Sequence, residues 1–248
     1  MPRSVGCGWT RRHPNGPTIG RVEDPAAGAT PFRDLTLGEF VDRLASAQPV
    51  PGGGSAAAVT ASLGAALVQM VAALSVGRPR FAEHAAALEA AALTGERLRA
   101  RFLTLADEDA GAFGAYATAL RLPRESEDER AARDAAVSAA ARHATAIPFS
   151  CIEACLELAV VAESIAGRSN SNASSDLTVA ALLADAAARA AEANVMINLP
   201  ATKDPVWADR TRARVAELLG AIGDRVQSTR DVVASGERRS PRQPAEVR

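Results

Sequence analysis

Histidine, cysteine and aromatic residues are scarce in this chain, and each scarcity removes a class of chemistry. The three histidines, His13, His84 and His143, are scattered through 248 residues without an obvious carboxylate or serine partner. No HExxH, paired CxxC or GxSxG occurs, nor a phosphate-binding or dinucleotide glycine pattern. Zinc hydrolase, serine hydrolase and nicotinamide enzyme therefore fall away, and neither a metal site nor a tightly bound cofactor is expected. Cysteine occurs at Cys7, Cys151 and Cys155 only, an odd count without framework spacing, which fits a reducing, cytoplasmic setting. Cys151 and Cys155 lie four apart in a helical pattern and read as small buried hydrophobes. Lys203 is the sole lysine and the formal net charge is −1, so the clustered basic surface that nucleic acid requires is not expected. The first thirty or so residues lack the apolar core of a signal peptide.

Aromatics make up only 4% of the chain against 48% hydrophobic residues overall, so the core is built from Ala, Leu and Val. Alanine is the best helix former and lets helices approach closely. The fold class predicted is all-α, a bundle of long helices, with no period-2 strand of useful length. Several segments are Ala-rich on more than one face, which points to further burial between subunits and a homodimer. Ser55 to Val76 is almost wholly uncharged and long enough to span a bilayer. Its Ala, Ser, Thr and Gly content gains little from lipid, so we read it as a central buried helix and expect no membrane partner.

The boundaries are set by local signals. Residues 1–33 read as a flexible extension, 34–235 as the helical domain and 236–248 as a disordered tail. Thr36 with Glu39 and Ser126 with Glu129 form capping boxes. Pro79 opens a stretch that runs to about Leu120. Pro148 separates two helices, one that ends near Ala146 and one that starts at the proline itself. Asp204-Pro205 caps and opens the last helix, which runs to about Val233.

With histidine and thiol chemistry set aside, acid–base work falls to carboxylates. In LADEDAGAF, Asp109 joins a stripe of Leu98, Phe102, Leu105, Phe113, Tyr116 and Leu120, whereas Asp107 and Glu108 point to solvent. A carboxyl on an apolar face tends to be raised in pKa, which suits a general acid or base; it also suits a plain interhelical hydrogen bond. Gly52, Gly53, Gly54 and Ser55 lead into a helix and offer free backbone N–H groups and close approach, or simply a tight turn. Asn170, Asn172 and Asp176 stand at a helix start, where amides and carboxylates also serve as caps. Asn194 and Asn198 share one side of an apolar helix and would bind a polar heterocycle or a neighbouring helix. Arg78 and Arg80 form a basic corner, either solvated or available to a carboxylate.

In order, PGGGSAAA, GRPRF, LADEDAGAF followed by LP, SDLTVAALL and NVMINL resemble the formiminotetrahydrofolate cyclodeaminase and methenyltetrahydrofolate cyclohydrolase family, over about Leu35 to Val233. The resemblance implies an all-helical homodimer acting on tetrahydrofolate adducts as substrates. It implies either closure of 5-formiminotetrahydrofolate to the 5,10-methenyl form with loss of ammonia, or hydrolysis of the methenyl form to 10-formyltetrahydrofolate. The cyclodeaminase is the first expectation, the cyclohydrolase the alternative and a non-catalytic folate-binding scaffold the third. Asp109 matches the acid of the family's D-A-x-A-F motif and Asp176 that of its S-D motif. Where the family has Gly-Asn before that motif, this chain has Ser169-Asn170. The implied roles are proton carrier for Asp109, orientation of substrate or cation for Asp176, a pterin border at Gly52 to Ser55 flanked by Asn194 and Asn198, and attraction of the glutamate tail by Arg78 or Arg80.

Overall fold

A computed structural model describes residues 30–241; the expectations for residues 1–29 and 242–248 lie outside it. Six α-helices follow one another: α1 Leu37–Leu44, α2 Gly53–Ala73, α3 Ala85–Leu120, α4 Glu127–Ile165, α5 Ser174–Asn198 and α6 Pro205–Ser235. The described residues contain no strand. Short 3₁₀ turns at Phe32–Asp34, Pro79–His84, Ser171–Ala173 and Leu199–Thr202 connect them. The capping boxes at Thr36 and Ser126 are both formed, and Asp204 accepts from the Trp207 N–H at the start of α6.

Helix α2 is the axle of the bundle. Its small residues Ala57, Ala58, Ala61, Ala65 and Ala72 are almost fully buried. Helix α3 runs antiparallel along one side: Ser55 meets Ala106, and Ser62 donates to the Arg99 carbonyl. A Cβ added to Gly95 would stand 2.9 Å from the Gln69 nitrogen and 3.0 Å from the Ala65 carbonyl, so the two helices touch backbone to backbone. Helix α5 runs antiparallel along the other side, with Asn194 beside Gly53 and Ala180 and Leu183 beside Gly64. Helices α4 and α6 pack against α5 and complete the core through Ile152, Leu158, Val215 and Ile222. Cys151 and Cys155 are both buried in α4. The Cys155 thiol is pushed well up, first by its hydrogen bond to Cys151, then by burial.

Several sequence expectations need correction. The glycines Gly53 and Gly54 belong to α2, which starts two residues before Ser55. Pro148 does not divide two helices; α4 runs unbroken through it for 39 residues. A proline inside a helix frees the carbonyl four residues earlier. That carbonyl, Ala144, accepts a hydrogen bond from Asn198 Nδ2 at 2.9 Å, so the lost bond is replaced from α5. The inward seam of α3 runs from Leu88 through Leu98, Leu105 and the half-buried Asp109 to Ala112 and Ala119, in alternating steps of three and four. Phe113 and Leu120 lie one position off that seam and are exposed. Asp107 is not a solvated residue, because its Oδ1 accepts the Phe32 N–H at 2.8 Å and holds the chain entering α1. After α6, residues 236–241 return to the body of the protein: the Arg239 N–H donates to the Gly167 carbonyl at 3.1 Å.

Helices α2 and α4 are long and apolar enough to cross a membrane by length and composition, and half of the apolar window in each is packed inside the bundle.

Candidate active site

The start of α2 gathers several of the candidate residues. Gly52 caps the helix in extended backbone without a side-chain hydrogen bond, so the first turn keeps its N–H groups for another partner. Asp109, from the middle of α3, is held against this turn. Its Oδ2 lies 3.1 Å from the Ser55 hydroxyl, which also lies 2.9 Å from the Ala106 carbonyl and shares its single proton between them. A Cβ on Gly54 would land on the Asp109 carboxylate, so only glycine allows this approach. Burial pushes the Asp109 carboxyl up from its ordinary range, while the Ser55 hydroxyl and backbone N–H pull it back. The result is a carboxyl that gives and takes a proton closer to neutrality than a surface aspartate.

Asn194 forms the opposite wall. Its side-chain amide lies 3.6 Å from where a Gly53 Cβ would stand, and its Nδ2 donates to its own helix at Ala190. Asn198, one turn further, is engaged with Ala144 and acts as a brace for that wall. The structure thus brings together Gly52, Gly53, Gly54, Ser55, Asp109 and Asn194, with Asn198 behind them.

The remaining predicted residues gather at the other end of α2. The Asn170 N–H donates to the buried Ser75 hydroxyl at 2.9 Å, and the Asn170 side-chain oxygen accepts from Arg80 at 3.0 Å and from the Asn172 N–H at 3.2 Å. Arg80 also stacks over Phe81, 4.4 Å from the ring centroid. Arg78 is exposed beside it. Asp176 is half-buried in the first turn of α5. At a rise of about 1.5 Å per residue, the two ends of α2 are about 30 Å apart, and Asp176 is about 27 Å from Asn194 along α5. Within one chain the candidate residues therefore fall into two groups, one at each end of α2. The sequence reading missed Ser75, whose buried hydroxyl anchors Asn170; a lone serine between Leu74 and Val76 carries no distinguishing pattern. Among the described residues, no group of three His, Cys, Asp or Glu side chains is arranged to hold a metal ion.

The fold and these groups define an all-helical protein with a single partly buried carboxyl at a glycine-rich helix start. The profile of the Formiminotransferase-cyclodeaminase family matches residues 36–217, and the chain belongs to that family. It is 37% identical to a methenyltetrahydrofolate cyclohydrolase of Methylorubrum extorquens over 197 residues, which is 78% of this chain and 95% of the relative. It is 34% identical to the formimidoyltransferase-cyclodeaminase of Rattus norvegicus over 186 residues, 75% of this chain but 34% of that longer protein. The crystal structure of a formiminotetrahydrofolate cyclodeaminase from Thermotoga maritima is similar to it with a TM-score of 0.74 and 27% identity, covering 82% of this chain and 98% of that one.

Proposed function

We propose that this protein is a folate one-carbon enzyme that works at the methenyl bridge of tetrahydrofolate, and that it acts as a pair of identical chains. The observation that carries the chemistry is the Asp109 carboxyl, raised by burial and held at the open first turn of α2. In the hydrolytic direction, water attacks the bridging carbon of the 5,10-methenyl cation, the bond from that carbon to N5 breaks, and 10-formyltetrahydrofolate results. One proton of the water ends on N5 and the other is released, and Asp109 is the group that carries it. In the deaminating direction, N10 of the 5-formimino compound attacks the same carbon. The formimino group reacts in its protonated form; N10 loses its proton, and the departing NH2 group gains one and leaves as ammonia. Asp109 again serves both transfers.

We put hydrolysis first because the Methylorubrum cyclohydrolase aligns along 95% of its length at 37% identity. Cyclodeamination is the second reading, favoured by the likeness to the Thermotoga cyclodeaminase structure.

The pairing is supported by the separation of the two groups and by the surface between them. Helix α2 leaves Leu63, Met70 and Leu74 exposed, and its neighbour α5 leaves Val179 and Leu182 exposed. Apolar patches of this kind mark interfaces. A two-fold axis placed across α2 near Leu67 would set the helix antiparallel to its copy. The level of Gly53 in one protomer would then fall near position 81 in the other. Asp109 and Asn194 of one chain would face the partner's Asp176, the partner's Asn170 and the partner's Arg80. In that arrangement the glycine turn borders the flat ring, Asp176 orients the cation, and Arg78 or Arg80 attracts an anionic tail.

The test is a spectroscopic assay on both folate substrates, since the methenyl form absorbs in the near ultraviolet. Asp109→Asn is expected to abolish turnover with helical circular dichroism unchanged. Normal turnover in that variant rejects the proton-carrier role. Folate binding without turnover of either substrate by the unmodified protein makes it a scaffold and rejects the enzyme reading.

A further inference from the structure

The segment that follows α6 lies beyond the family match, which ends at residue 217, and yet it is wired to the loop that bears Asn170. Gly167 adopts a φ of +71°, and a Cβ there would stand 2.6 Å from the Glu237 carbonyl. Only glycine permits both the turn and the close passage of the returning chain. The contact is reciprocal. The Arg239 N–H donates to the Gly167 carbonyl at 3.1 Å, and Arg168 Nε donates to the Ser240 carbonyl at 2.7 Å.

Beneath this crossing sits Glu163, in the last turn of α4 and only 7% exposed. Its carboxylate accepts from Ser228 at 2.9 Å, from Arg225 at 3.0 Å and from Arg239 at 3.5 Å. Arg239 reaches Ser228 as well, at 3.2 Å. Burial would raise the Glu163 carboxyl, but the Ser228 hydroxyl and the charges of Arg225 and Arg239 outweigh it and hold the group below its ordinary range. Glu163 is therefore ionised at neutral pH, and its charge fastens the returning segment to α4 and α6. Removing a partner from so buried a charge leaves a large penalty. Across a cavity of about 180 Å³, the same segment faces Arg80 and His84.

We propose that residues 236–241 form a clamp on the Gly167–Asn172 loop, with Glu163 and Arg239 as positioning residues that hold Asn170 and Arg80 ready for substrate. The clamp rests on the reading of that loop as a substrate-binding half-site. Neither Glu163 nor Arg239 touches substrate; they act through Gly167, Asn170 and Arg80.

The test uses the full chain carrying Arg239→Ala or Glu163→Gln, with Arg239→Lys as the conservative variant. Hydrogen exchange without substrate reads the clamp directly. Amides from Gly167 to Asn172 are expected to exchange about 100-fold faster in Arg239→Ala, while those around Asp109 are unchanged. Kinetics read its purpose: KM rises about tenfold with kcat within about twofold, and Arg239→Lys recovers part of the loss. Unchanged loop exchange overturns the clamp, whether or not the protein turns over folate. Faster loop exchange with an unchanged KM overturns its positioning role, as does a fall in kcat accompanied by faster exchange throughout the molecule. If the unmodified protein turns over neither folate substrate, the proposed function fails, and the exchange result still judges the clamp.

Discussion

As the proton carrier proposed above, Asp109 has to be both buried and reactive, and these demands leave a signature in stability. Its carboxyl is raised in the folded chain by burial and has the ordinary value when unfolded. Folding is therefore favoured by this group at low pH, and that contribution is lost as pH climbs from about 3.9, the usual aspartate value, through the raised one. Asp109→Asn removes the titration. The variant is expected to melt higher than the parent at neutral pH, with the difference shrinking to nothing below about pH 4 in thermal scans. In kcat/KM, the base form of Asp109 gives an acid limb shifted above the ordinary carboxylate range. Asp109 was legible in the sequence because α3 keeps a regular helical period and the acid falls on its apolar face. Phe113 was misread for the same reason: the seam advances by three at that point, and the choice between three and four is made by the neighbouring helices.

Helix starts were legible wherever a short-range signal sets them, as at Thr36, Ser126 and Asp204. The continuity of α4 was not, because the residue that rescues Pro148 is Asn198, fifty residues away in sequence and adjacent only after folding. The same holds for the start of α2. The glycines announced a close approach without naming the group that approaches. The structure supplies the Asp109 carboxylate against Gly54, and the prediction is direct. Gly54→Ala should displace the carboxyl and lower kcat by about 100-fold, the order of loss expected from a shift of about 1 Å at a reacting group. Gly52→Ala, where a Cβ meets only the Pro49 carbonyl at 3.8 Å, serves as the control and should keep most activity.

At the scale of the whole molecule, the predicted residues are all present but divided between opposite ends of α2. Motif order along a chain carries no information on which end of a helix a loop reaches, so this division could not be read from the sequence. A composite site makes a sharp prediction. Asp109→Asn and Asp176→Asn proteins, each inactive alone, should regain about a quarter of parental activity when mixed, unfolded and refolded together. Half of the pairs would then be hybrids, each with one intact site. No recovery, with hybrids demonstrated by mass spectrometry, rejects the shared site. If the chain pairs as proposed, Leu63→Glu should give single chains in light scattering and remove activity.

The position of Asp109 at a helix start has a consequence for the order of events. Burial favours the uncharged carboxylic acid, whereas the Ser55 hydroxyl and N–H at the start of α2 favour the carboxylate, so two opposed influences meet at this group. A positively charged ring settling beside it would tip that balance toward the anion. The incoming molecule would thus favour the base form that activates its own attacking water. Once the charge on the ring is gone, that extra pull toward the anion would go with it, and the pocket would return to its starting electrostatics without help from any other residue.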